Sequence, residues 1–225
     1  MSRGSKKALL FDIDGTLADT DALHLEAFNQ VLGPRGHVFD QARFTRELQG
    51  FSNASIGARF LAEEPPTRQA AIIDEKEAAF RKLVAGKIQP VQGLMPLLAL
   101  ADRAGIPMVA VTNAPRLNAE MLLSGLGIMH RFKALVIGDE LAHGKPHPMP
   151  YLEGLCVVNA APDLSLAFED SRSGVQSASA AGIATIGIRT SLGHADMIAA
   201  GAVMTAKTFD DPELVKLVRT TIQRV

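Results

Sequence analysis

The stretch ALLFDIDGTLADTD, residues 8–21, begins as a buried strand and then sets four aspartates within ten residues. Like charges repel and resist leaving water, so a chain keeps Asp12 and Asp14 at an apolar strand end only where something offsets them. Side chains two apart on a strand share a face, which directs Asp12 and Asp14 to one site and Ile13 to the core. Gly15 and Thr16 then form a turn that admits close backbone approach to a ligand. Two carboxylates about 4 Å apart repel by roughly 4 kcal/mol at an effective dielectric of 20. A divalent cation that prefers oxygen ligands, Mg2+, turns that repulsion into binding. Taken alone, the pair is equally well explained by a polar strand end with an Asx turn and a helix cap. Asp19 and Asp21 fit that second explanation better, because they precede a helical pattern whose N-terminus favours negative charge.

Outward from this stretch, apolar runs recur at 106–113, 133–139, 164–170 and 183–188, with a weaker one at 202–206. They are continuous rather than alternating, as in strands covered on both faces. Helical patterns between them end at Gly105, Gly127 and Gly182, a helix-terminating signal. This alternation predicts an α/β fold built on a doubly wound parallel sheet. About ninety residues separate the first strand from the second, too many for one crossover. That interval reads as helical, with Leu23, Ala27, Phe28 and Val31 on one face and a break at Pro65 and Pro66. It predicts a small helical cap over residues 18–88, inserted after the first strand into a core domain made of residues 1–17 and 89–225.

Composition limits the function classes. The chain has 225 residues and is 47% hydrophobic, enough for a substantial core. With 23 basic and 24 acidic residues the net charge is −1, which offers no footprint for nucleic acid or an anionic membrane. The single Cys156 excludes an intramolecular disulfide framework, and no Cys/His cluster of the structural-zinc kind occurs. No apolar run reaches the length of a membrane span, and residues 1–7 lead into no signal-peptide core. These features predict a cytoplasmic protein.

Three further strand ends carry chemistry. Thr112 and Asn113 close the second run, and a helix opened by Pro115 follows; hydroxyl, amide and helix N-terminus can all donate to an anion. Lys145 lies in a loop stiffened by Pro146, Pro148 and Pro150, where a fixed ammonium suits a phosphate. Glu169 and Asp170 end the fourth run as a second acidic pair, before a helix start at Ser171. Singly these read as ordinary capping or a surface lysine. Together, all at strand ends, they point to one site.

FDIDGTLADTD, VTNAP, GKPHPMPY and FEDSRSG stand in the order and at the spacings of a known family, and the match covers essentially the whole chain. The protein resembles a haloacid dehalogenase-like superfamily hydrolase of the large phosphatase and phosphomutase branch, with a Rossmann-like core and a helical cap. The resemblance implies a Mg2+-dependent hydrolase of a small-molecule phosphate ester, a sugar phosphate or phosphoglycolate, and a monomer or weak homodimer. It implies Asp12 as the nucleophile that forms an aspartyl-phosphate, and Asp14 as general acid and then base. Thr112 and Lys145 would hold the phosphoryl oxygens, with Asn113 assisting. Asp170 would bind Mg2+ with the Asp12 carboxylate and the Asp14 carbonyl, and Glu169 would contribute directly or through water. Asp14 must be protonated in one half-reaction and ionised in the other, and nearby negative charge can raise its pKa toward that duty.

Within the family, Asp14 argues against a dehalogenase, whose halide leaving group needs no proton. The alternative to a phosphatase is a β-phosphoglucomutase-like enzyme. LQGFSNASI resembles the family's specificity loop, with Gly50 at its glycine. Asn53 falls where such mutases carry an arginine for the second phosphate, which weakens the mutase reading, although Arg59 or Arg46 could substitute. His24 sits where relatives carry a histidine that touches substrate or orients the acid/base aspartate; a plain helix-surface histidine is its alternative. His143 and His147 shape the lysine loop, and His37, His130 and His194 read as loop residues. Two rivals remain, a phosphoacceptor signalling module, which needs no helical cap, and a catalytically silent binding protein.

Overall fold

The computed structural model describes residues 6–223. Six strands form one sheet: β1 (Leu9–Phe11), β2 (Met108–Thr112), β3 (Phe132–Ile137), β4 (Leu166–Glu169), β5 (Ala184–Ile188) and β6 (Met204–Ala206). The order is β3-β2-β1-β4-β5-β6 and every pairing is parallel. All six correspond to the apolar runs of the sequence.

Between β1 and β2 lie four helices of an insert, α1 (Asp21–Leu32), α2 (Gln41–Glu47), α3 (Asn53–Phe60) and α4 (Pro66–Val84), and then α5 (Leu94–Arg103). Side chains cap two of them: the Asp40 carboxylate accepts from Arg43 N at 2.7 Å, and Ser52 Oγ from Ser55 N at 3.2 Å. Pro65 and Pro66 do more than break the series, since they are the N-cap and first residue of α4. Phe28, Leu32, Phe44, Ile56, Phe60 and Ile72 belong to a hydrophobic cluster confined to the insert.

The remaining helices are α6 (Arg116–Gly125), α7 (Met149–Val158), α8 (Arg172–Ala180), α9 (His194–Ala200) and α10 (Pro212–Gln223). The core strands send alternate residues to opposite faces. Leu9 and Phe11 join a cluster with α5, α6 and α10, whereas Leu10 joins one with α7 and α8. The continuous apolar runs are thereby explained by helices on both sides of the sheet. Helix α7 has no legible helical period because YLEGLCVV is apolar almost all round, with Leu152 and Val157 facing outward. His194 opens α9 and His130 sits in a short 3-10 turn, so neither is a plain loop residue. No helix of the described residues is long and apolar enough to cross a membrane.

Topology places the site. Strand β1 lies where the order reverses, between β2 and β4, and ligands of open α/β sheets bind at the carboxyl ends of strands at such a point. The aromatic rings beneath it are tightly packed: Phe11 and Phe168 stack with centroids 4.6 Å apart, and Phe209 meets Phe168 at 5.6 Å. Phe168→Ala should therefore destabilise the protein by about 3–5 kcal/mol, read from guanidinium unfolding midpoints at constant slope. A loss near zero would show that these rings do not hold the central strands.

Candidate active site

Strand β1 stops at Phe11, although Asp12 N still donates to Phe168 O at 3.0 Å. A tight turn follows, with Leu17 N donating to Ile13 O and Gly15 N to Ala18 O, both at 2.8 Å. Asp14 is thus aimed by this turn rather than by strand alternation, yet both aspartates line one cavity. Gly15 has φ +76°, and a Cβ there would stand 2.1 Å from Asp170 Oδ2. The close approach that glycine permits is to that carboxylate.

Among the described residues, Lys145 is the only ammonium among three buried carboxylates at the strand ends. Its Nζ donates to Asp12 Oδ1 and Glu169 Oε1, each at 2.6 Å, and to Val111 O at 2.8 Å, which uses all three protons. Glu169 Oε1 also accepts from Tyr151 Oη at 2.5 Å. Asp170 Oδ2 accepts from Gln49 Nε2 at 2.7 Å and Oδ1 from Thr16 Oγ1 at 3.3 Å. Burial pushes Asp12 up to about 8, against the pull of Lys145 and with a push from Glu169. Asp170 is driven well above the ordinary carboxylate range by burial and by Asp21, Asp12 and Glu169. Lys145 is held charged despite burial, by Asp12 and Glu169.

One oxygen each from Asp12, Glu169 and Asp170 lie within 4.8 Å of one another. An all-oxygen set with surplus negative charge fits a hard divalent cation. The oxygens are not equally free, since Glu169 Oε1 is already shared by Lys145 and Tyr151.

Asp14 has separate surroundings. Its Oδ1 accepts from Thr20 Oγ1 at 2.9 Å and pairs with His24 Nε2 at 3.0 Å, while its buried Oδ2 has no partner. His24 stacks on Phe80 at 3.7 Å, and its Nδ1 lies 3.2 Å from Lys76 Nζ. An ammonium has no lone pair to offer, so Nδ1 accepts and Nε2 carries the proton toward Asp14. Burial raises the Asp14 carboxyl, but His24, Thr20 and Lys76 together hold it below the ordinary value. This corrects the expectation that neighbouring negative charge raises it: the groups facing Asp14 are donors and cations.

The other expected residues fall as follows. Thr112 is buried at the cavity, its Oγ1 accepting from Ala114 N at 2.9 Å. The Asn113 amide is fully engaged: Nδ2 donates to Gly50 O and Lys145 O, each at 3.1 Å, and Oδ1 accepts from Lys145 N at 3.0 Å. Gly50 O also accepts from Ser173 Oγ at 2.7 Å, joining insert to core. Asn53 donates to Glu77 Oε1 at 2.8 Å. Arg46 and Arg59 line no part of the cavity and instead pair with Glu47 at 2.8 and 3.5 Å. Asp19 is exposed. Asp21 begins α1 as expected, but it is buried beside the site, accepting from Gln49 Nε2 at 3.0 Å and from Ser191 Oγ.

The order of these strand-end groups matches a known family over residues 9–188, the haloacid dehalogenase-like hydrolases. The chain belongs to that family. Among the curated relatives of this haloacid dehalogenase-like hydrolase is the fructose-1-phosphate phosphatase YqaB of Escherichia coli K12. It is 32% identical over 80% of this chain and 95% of its own. The phosphorylated carbohydrates phosphatase of Thermotoga maritima is 31% identical over 89% and 94%. The crystal structure of CbbY from Rhodobacter sphaeroides in complex with phosphate superposes with a TM-score of 0.79. Identity there is 30%, with 91% of this chain and 95% of that one covered.

Several site residues of this hydrolase escape a reading by strand ends. Gln49 reaches Asp170 from the insert, and Tyr151 reaches Glu169 from α7. Lys76 and Glu77 sit in IIDEKEAAF, which reads as a solvated charged face. Their signal is positional: Ile72, Lys76 and Phe80 are spaced by four, as are Ile73 and Glu77, and all five are buried. Lys76 Nζ also lies 4.1 Å from the Phe28 ring centroid, so its charge rests on an aromatic face.

Glu77 is the most constrained of these. Its Oε1 accepts from Asn53 and from Lys76 at 3.0 Å, and Oε2 from Asn118 Nδ2 at 2.6 Å. Burial raises its carboxyl, but Lys76, His24 and Asn53 hold it below the ordinary value of 4.5. A depressed carboxylate contributes stability that is present above the unfolded value and lost as pH falls through the folded one. Glu77→Gln should cost up to about 3–5 kcal/mol near neutral pH, because it leaves Lys76 buried and unpaired. The gap from wild type should narrow as pH falls below about 4.5, read from urea midpoints; a constant gap would show that the charge contributes nothing.

Proposed function

We propose that this protein is a Mg2+-dependent phosphatase of a small phosphorylated metabolite, of the sugar-phosphate or phosphoglycolate type, that works through an aspartyl-phosphate. One observation carries the reading. Two aspartates of a single turn are held in opposite electrostatic settings, Asp12 among carboxylates and Lys145, Asp14 against His24 and Lys76. Splitting hydrolysis into two transfers requires two carboxyl groups with such different duties.

In this reading Asp12 and Asp170 would hold the ion with the Asp14 backbone carbonyl, and Glu169 acts chiefly by fixing Lys145. The bound ion would neutralise charge between the carboxylate and the phosphoryl oxygens. Asp12 attacks phosphorus, and the ester P–O bond breaks. Asp14 gives its proton to the departing oxygen; the arriving phosphate dianion raises its affinity for that proton. Water then attacks phosphorus, Asp14 takes the water proton, and the bond to Asp12 breaks to release phosphate. Thr112 holds a phosphoryl oxygen beside the N-terminus of α6, and Lys145 holds another by turning one proton from its carboxylate partners to the phosphoryl group. Asn113 acts indirectly, by fixing the Lys145 backbone to the insert. The insert, residues 18–88, serves as the cap that excludes bulk water. Relatives that are phosphatases of fructose 1-phosphate and of phosphorylated carbohydrates support this reading. The mutase alternative loses support from Arg46 and Arg59, which are committed to Glu47.

Purified protein should release phosphate from p-nitrophenyl phosphate with Mg2+ and stop in EDTA. Asp12→Asn should lower kcat by roughly 10³-fold or more, and Asp170→Asn should raise the Mg2+ concentration needed for half-maximal rate. Full activity in Asp12→Asn would exclude the mechanism, and isomerised sugar phosphate in place of free phosphate would favour the mutase. His24→Ala should lower kcat by about 10–100-fold with little change in KM, since the imidazole acts through Asp14.

A further inference from the structure

The wall of the cavity supplied by the insert is mostly apolar, formed by Phe28, Phe44, Leu48, Phe51 and Ile56. Its charged groups are Lys76 and Glu77, which neutralise each other at 3.0 Å, and Asp21, a further carboxylate that accepts from Gln49 Nε2 and Ser191 Oγ. Asn53 completes this wall and is bonded to the same carboxylate. Among the described residues no arginine lines the cavity, and the other lysine, Lys145, has all three protons engaged. Arg116, at the start of α6, is bound to Glu140 through two bonds at 2.8 and 2.6 Å and stands outside the lining. Arg81 donates to Asn118 Oδ1 at 2.8 Å and is likewise outside it.

A phosphoryl group at Asp12 therefore meets fixed positive charge, whereas the far end of the same substrate meets none that is free. A second phosphate or a carboxylate there would lose its water, face the Glu77 carboxylate and find no unpaired cation. A hydroxylated end with an apolar face meets the opposite situation. Asn53 and Glu77 can exchange hydrogen bonds with hydroxyls, and the aromatic and aliphatic side chains cover carbon.

We propose that Asn53 and Glu77 restrict this enzyme to phosphate monoesters whose non-reacting end is uncharged and hydroxylated, and exclude bisphosphates and phosphorylated acids. This inference rests on the phosphatase reading and narrows it. Specificity here comes chiefly from what the pocket rejects, a carboxylate set against a second anion.

Matched esters test it. 2-Hydroxyethyl phosphate and phosphoglycolate differ in one end group, as do fructose 1-phosphate and fructose 1,6-bisphosphate. Wild-type kcat/KM should favour the uncharged member of each pair by at least about tenfold. Asn53→Arg, at the partly exposed start of α3, should shift both ratios toward the anionic member by fivefold or more, and Glu77→Gln should shift them in the same direction. Because each variant is judged by its own ratio, a general loss of activity does not obscure the result. If Glu77→Gln fails to fold, Asn53→Arg decides. Wild-type ratios near one, or ratios unmoved in Asn53→Arg, would overturn the proposal while leaving the phosphatase intact. No phosphate from any ester, p-nitrophenyl phosphate included, would instead overturn the phosphatase reading beneath it.

Discussion

A single ammonium holds the strand ends together. Lys145 Nζ binds Asp12 just beyond β1, Glu169 at the end of β4 and the Val111 carbonyl of β2, so three neighbouring strands are tied at one point. Breaking such a buried pair leaves an uncompensated charge, which is far costlier than the pair is stabilising. The loop that carries Lys145 must therefore be fixed as firmly as the sheet. Asn113 does this by bonding both the N–H and the carbonyl of Lys145. His147 contributes from further along: its carbonyl accepts from Ser177 Oγ at 2.6 Å and its ring lies 4.6 Å from that of His143, tilted by 37°.

One ammonium faces three carboxylates, and burial first, with the neighbouring carboxylates adding to it, raises Asp12 and Asp170 in spite of Lys145. Asp14 escapes it because the turn at residues 13–18 carries it away from the sheet and toward α1 and α4. Its partners arrive from the insert, in a line from Lys76 through His24. The two aspartates thus depend on different parts of the chain, one on core strands and one on the insert. A change in the packing of α4 can then alter the Asp14 carboxyl without disturbing the one that Lys145 holds.

Much of this was legible in the sequence because each strand end is a short, continuous segment. FDIDG, VTN and FED place their polar residues directly after apolar runs, and burial on both faces makes those runs continuous. The turn that aims Asp14 was less legible, since strand alternation and a tight turn bring it to the same cavity by different routes. Asp21 reads as a helix-initiating residue, which it is, but its burial beside Gln49 and Ser191 depends on two distant segments. Tyr151 was hidden for another reason: α7 is apolar nearly all round, so nothing distinguished the tyrosine that meets Glu169 from core filling.

The insert illustrates why chemistry is easier to read than selectivity. The polar groups at strand ends are set by the sheet, whose register is fixed by apolar patterning. The insert's share of the cavity lining comes from α1, α2, α3, α4 and the loop at 48–52, with one to four residues from each. Lys76 and Glu77 look like ordinary helix-surface charges until α4 is packed against α1 and α6, where they become buried and face Asn53 and Asn118. Their meaning lies in what they cancel. A lysine in a phosphatase pocket suggests a second anion site when seen alone, and the adjacent glutamate removes that possibility by occupying it at 3.0 Å. The charge left free for a ligand, rather than the charge present, decides what the far end of this pocket can hold.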